Sequence, residues 1–80
     1  MNWMFELYRS LSADADLEGD IVATVARDGG RLDFREGVEE PHGKYVCLTF
    51  EFDSRDAAEK SASHLRALGH HVEEPTDYGP

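Results

Sequence analysis

From Tyr45 to Phe52 apolar and polar residues alternate. Val46, Leu48, Phe50 and Phe52 fall on one side, and Tyr45, Cys47, Thr49 and Glu51 on the other. A period of two is that of a strand with one buried face, so KYVCLTFEF is predicted to be the central strand of a sheet. After it the spacing lengthens. Ala58, Ala62, Leu65 and Leu68 form a helical stripe, with Asp53 as its N-cap, Phe52 stapling onto Ala57, and Gly69 as the C′ stop. HHVEE then predicts a short last strand with Val72 its only apolar member. PTDYGP, at 75–80, predicts a flexible tail that does not continue the sheet.

In the first half, Met4, Leu7, Tyr8 and Leu11 stand at i, i+3, i+4 and i+7, which predicts a helix capped by Asn2. Trp3 and Phe5 lie off that stripe. SADADLEGD reads as an acidic loop, and IVATVAR, rich in β-branched residues, as a strand. Asp28-Gly29-Gly30 matches a hairpin turn that would set Val25 opposite Leu32 and Ala23 opposite Phe34. VEEPHG forms the second connection, since Pro41 lacks a donor and Gly43 frees the backbone. The order is α-β-β-β-α-β in one domain spanning 1–80. Both helices cover one face of a mostly antiparallel sheet, giving a two-layer α+β sandwich of ferredoxin-like kind.

Charge narrows the range of partners. Seventeen acids face eight bases among eighty residues, a net charge of −9. Such a surface repels nucleic acid and anionic membranes and favours a protein partner with a basic segment. Solubility, or a salt-rich habitat, is the other reading of such acidity. No run of apolar residues is long enough to span a bilayer, and the N-terminus has no basic, cleavable leader. One cysteine excludes an internal disulfide and agrees with a cytoplasmic location.

Candidate chemistry is sparse. Asp14, Asp16, Glu18, Gly19, Asp20 and Ile21 follow the first part of a Ca²⁺-binding loop, but Val25 stands where the bidentate glutamate belongs. His70 and His71 would point to opposite faces of a strand, while His42 sits in a loop and His64 on a helix, so no zinc spacing forms. Cys47 lies mid-strand on the face away from the helices, where a small residue suits packing better than nucleophilic catalysis. Gly29-Gly30 opens no helix and makes no phosphate cradle. No catalytic, metal or cofactor residue is assigned.

The segment FEFDSRDAAEKSASHLRALGHHVEE resembles the ribonuclease E regulator B family. The matching residues are Phe50, Phe52, Asp53, Ala57, Ala58, Leu65, Arg66, Leu68, Gly69, Val72 and Glu73, and LYRSLSADAD is similar to the family's early helix. The family's strand runs on past the Val-Glu segment, where this chain turns to PTDYGP. The resemblance implies a cytoplasmic protein, without catalysis of its own, that binds and restrains an RNA-degrading endonuclease. The expected partner-binding residues are the acids Glu39, Glu40, Glu73, Glu74 and Asp77 and the aromatics Trp3, Phe5 and Tyr45. A self-associating or small-ligand-binding sensor domain, pairing through its open sheet face, is the alternative.

Overall fold

The computed structural model describes residues 2–10, 15–40 and 43–77. The elements are β1 (Trp3–Ser10), α1 (Ala15–Arg27), β2 (Gly30–Glu40), β3 (Gly43–Phe52), α2 (Arg55–Ala67), β4 (His71–Val72) and β5 (Thr76–Asp77). The chain is a small α+β domain with an antiparallel sheet and two helices. Its order is β-α-β-β-α-β, followed by a fifth short strand, and the expected α-β-β-β-α-β order is corrected. Across the sheet the strands run β2-β3-β1-β4, with β5 also on β1. β3 is central, as expected, and β1 lies beside it.

The expected first helix is a strand. Phe5, Leu7 and Arg9 turn inward, and Glu6 and Tyr8 alternate with them. Apolar residues at 3, 4, 5, 7 and 8 satisfy both periods. The slot between β3 and β4, where both backbone edges find partners, decides for strand. The expected loop and second element together form helix α1. Leu17, Ile21 and Val25, four residues apart, face the core, Asp16 and Glu18 lie in the first turn, and Arg27 lies in the last. Asp28-Gly29-Gly30 is therefore a helix stop and not a hairpin. Asp28 N–H donates to Thr24 O at 3.2 Å and Gly29 N–H to Ala26 O at 3.1 Å, with Gly29 at φ 90°. β2 then runs through Val38–Glu40, so the expected second connection is shorter than VEEPHG.

The second half follows its pattern with small corrections. Val46, Leu48, Phe50 and Phe52 are all fully buried. Ser54, not Asp53, caps α2, its hydroxyl accepting from Ala57 N–H at 3.2 Å. Asp53 instead pairs with Arg31 at 3.2 Å. Ala58, Ala62 and Leu65 are buried with Ser61, whereas Leu68 is 66% exposed. Gly69, at φ 94°, closes the helix in a Schellman arrangement, with Gly69 N–H on Arg66 O and His70 N–H on Leu65 O. Thr76–Asp77 pairs with Met4 and Trp3, so the supposed tail does continue the sheet as far as Asp77. Pro75 breaks the ladder, and the register slips by one residue across it.

The core is one cluster between the helices and a single sheet face. Phe5 and Leu7 of β1, the four apolar residues of β3, Ile21 and Val25 of α1, and Ala58, Ala62 and Leu65 of α2 build it. The Phe5 ring lies 5.3 Å from Phe52 and 5.7 Å from Phe50. Burying each of these large side chains stabilises the fold by about 1.5–3 kcal/mol. Both helices occupy that face, and none of the described elements covers the other one.

Candidate functional site

The uncovered sheet face is assembled by register. Tyr8 of β1 stands opposite Cys47 of β3 and His71 of β4, and Glu6 stands opposite Thr49. On β2 a register shift between Leu32 and Phe34 rotates the strand by one place. Leu32 stays opposite buried Phe50, while Phe34 comes opposite Thr49, on the open face. Phe34, expected to be a core residue, is consequently 57% exposed.

Three rings cross the face in a row. Tyr8 lies 5.9 Å from Tyr45 in an edge-on arrangement and 5.9 Å from His71. Beneath them Cys47 is buried. The Tyr8 hydroxyl donates to Glu6 Oε2 at 2.5 Å, and Cys47 Sγ lies 3.6 Å from the same oxygen. The Tyr8 pKa is raised by that hydrogen bond first and then by burial. Burial and the Glu6 charge push the Cys47 thiol up. A thiol held protonated beside a carboxylate is a poor nucleophile.

Acids border the rings. Glu36 stands opposite Cys47 in the register, and Glu51 is held by Arg31. Glu73 Oε1 lies 3.2 Å from His71 Nε2. A groove of about 340 Å³ runs along β1 toward β5, with Glu6, Tyr8, Glu73, Glu74 and Met4 in its walls. Arg31 is engaged by Glu51 and Asp53. Among the described residues the face therefore has aromatic surface without the basic rim that stacking of single-stranded RNA requires.

The expected site residues separate. Glu73 and Glu74 meet at the groove, Glu74 also pairing with Arg66 at 3.3 Å. Asp77 is exposed and pairs with Trp3 in the β5 ladder. Glu39 and Glu40 end β2, on the opposite sheet edge, and their side chains lie outside the described residues. The end of β2 and the β4–β5 segment thus lie on opposite edges of the sheet. Tyr45 is on the open face. Trp3 packs against the core, with the Arg55 guanidinium 5.5 Å from its ring centre. Phe5, 2% exposed, is core and not binding surface. Tyr8 and Phe34 are not among the expected site residues; the spacing of Met4, Leu7 and Tyr8 points Tyr8 to a helical stripe, and simple alternation points Phe34 to the core.

The supposed Ca²⁺ loop is helix from Ala15 onward, and Asp14 lies outside the described residues. Glu18 is committed to Arg35 at 2.6 Å. No cluster of three metal-ligating side chains occurs among the described residues. His64 pairs with Asp28 at 3.0 Å, and His42 lies outside the described residues. No helix among the described residues is long and apolar enough to cross a membrane.

No protein-family model matches the chain, and no curated protein matches it. Solved structures do. The de novo designed protein Foldit4 superposes with a TM-score of 0.72 at 15% identity, covering 99% of this chain and 100% of its own. The prephenate dehydratase of Staphylococcus aureus superposes with a TM-score of 0.62 at 17% identity, over 89% of this chain and 28% of the enzyme's. At such identities the likeness is one of fold alone.

Proposed function

We propose that this chain is a non-enzymatic, ferredoxin-like binding module that takes a basic protein segment on its open sheet face. The observation that carries the reading is the uncovered row Tyr45–Tyr8–His71, with exposed Phe34 beside it, bordered by Glu6, Glu36, Glu51 and Glu73. Aromatic surface supplies contact area, and the surrounding carboxylates select positive charge. Self-pairing through this face is disfavoured, because it would bring acidic borders together in a chain of net charge −9. An RNA-degrading endonuclease, the partner implied by the family resemblance, is the first full-length partner to try, with restraint of its cleavage as the regulatory outcome.

The test is a ¹⁵N NMR titration with a peptide of alternating lysine and phenylalanine, at two salt concentrations. Shifts centred on Tyr8, Tyr45 and Phe34 that weaken at high salt are expected. Shifts confined to α1 and α2, or no binding, would overturn the reading. Sedimentation should show a monomer, and a salt-independent dimer would favour the self-associating alternative. In a cleavage assay, an unaltered endonuclease rate at tenfold excess would remove the regulatory part of the proposal.

A further inference from the structure

The two edges of the sheet are finished differently. On the β4–β5 edge, Glu73 N–H donates inward to Glu6 O at 2.9 Å, so the neighbouring Val72 carbonyl faces outward. That carbonyl is already taken by the Arg66 guanidinium, at 3.1 Å from Nη2, which also reaches Glu73 O at 3.3 Å. Pro75 then interrupts the edge between two strands of two residues each. Capped carbonyls and a proline are devices that keep an edge from pairing.

The β2 edge is long. Its first three residues are set apart by the register shift at Leu32/Phe34, but from Phe34↔Thr49 to Glu40↔Gly43 seven residues keep one register. Residues 34–37 are exposed. Among the described residues β2 pairs only with β3, so alternate residues along it direct N–H and C=O groups outward. The side chains give this edge a legible preference. On the open-face side Phe34 is followed by Glu36 in the register. On the other side Arg35 is drawn back to Glu18 on α1, and Gly37 has no side chain to obstruct an approach.

We infer that the basic segment is bound as an added β-strand on Phe34–Glu40 of β2. This rests on the reading that the chain takes a basic protein segment, and places that segment along the Phe34 edge of the open face. Backbone hydrogen bonds hold the strand. A positively charged side chain opposite Glu36, with an apolar one opposite Phe34, selects it. The occupant is an extended protein segment in which every second residue is apolar and basic by turns. That pattern is the same in both chain directions, so either orientation satisfies it.

The experiment uses the full chain and the capped peptide Val-Thr-Lys-Thr-Val-Thr-Lys, with a glutamate-for-lysine peptide as control. Amide hydrogen exchange is followed by NMR with peptide at ten times its Kd. Alternate amides within 34–40 should exchange about tenfold more slowly, and the glutamate peptide should give no protection. Peptide shifts on Tyr8 and Tyr45 with unprotected β2 amides would overturn the strand inference and leave the open-face reading standing. Protection on β4–β5 would also overturn it. No binding would remove both.

Discussion

Gly30 begins β2 at the point where the strand leaves α1 and crosses the core edge. A methyl group placed there would lie 2.4 and 2.5 Å from two carbons of the Phe52 ring and 2.7 Å from Val25 Cγ1. Carbon contacts sit at about 3.5–4.0 Å, so each must open by roughly 1 Å or more. Neither neighbour has room. Phe52 and Val25 are fully buried, and the Phe52 ring is stacked on Phe5. Gly30→Ala should therefore act as an overpacking substitution and cost about 1–3 kcal/mol. An 80-residue domain holds about 4–12 kcal/mol in all, so the loss is substantial. Gly37→Ala is the control. It meets nothing within 4 Å and has no positive φ, so it should be neutral or stabilise by up to about 1 kcal/mol through the unfolded chain. Urea melts with unchanged m-values measure both. Adding Phe52→Leu to Gly30→Ala should couple favourably, the double variant losing less than the sum of the singles. A Gly30→Ala loss below about 0.5 kcal/mol would refute the packing of β2 against Phe52.

The two leucines of α2 should part company. Leu65→Ala should cost about 2–4 kcal/mol, and Leu68→Ala less than about 0.5, in the same melts. Ser54→Ala removes the α2 cap and should cost about 1 kcal/mol, with Asp53→Ala costing less. Cys47 and Tyr8 have folded pKa values raised above their ordinary 9.0 and 10.0. Their contribution is therefore full below about pH 9 and is lost as pH rises through the folded values. Melts from pH 7 to 11 should show stability falling at the alkaline end, less steeply in Tyr8→Phe. Glu73→Lys with Glu74→Lys should slow association with the lysine–phenylalanine peptide about tenfold at low salt while leaving the fold intact, as read by surface plasmon resonance and circular dichroism.

The C-terminal half was legible because one reading satisfied every local signal. Val46, Leu48, Phe50 and Phe52 keep period two without exception, and all are buried. Ala58, Ala62 and Leu65 keep the helical period, and Gly69 supplies the positive φ that ends it. The N-terminal half carried signals for two structures. Residues 3–8 are apolar at almost every place, so period could not discriminate. Ile21, Val22, Thr24 and Val25 are β-branched, yet Leu17, Ile21 and Val25 are spaced by four, and packing overrode propensity. Asp28-Gly29-Gly30 serves a hairpin or a helix stop equally well, and only the element before it decides. The register shift at Asp33 had no sequence mark, so Phe34 was turned inward by simple alternation.

The site depends on the N-terminal half, whose pattern fits two structures. β3 and β4 run parallel and do not touch as neighbours, because β1 pairs antiparallel with both. A two-residue β4 with Val72 its one apolar member has too little of its own to hold an edge. It is held by β1, by the Glu73–Glu6 backbone bond and by Arg66. Reading β1 as a helix leaves that slot empty and separates Tyr45 from His71 by the width of a missing strand. Tyr8 fills it, and its ring meets both neighbours at 5.9 Å. The aromatic row is therefore a consequence of topology, each strand giving one ring, and Tyr45 and His71, 37 and 63 positions from Tyr8 in the chain, become its neighbours through strand pairing.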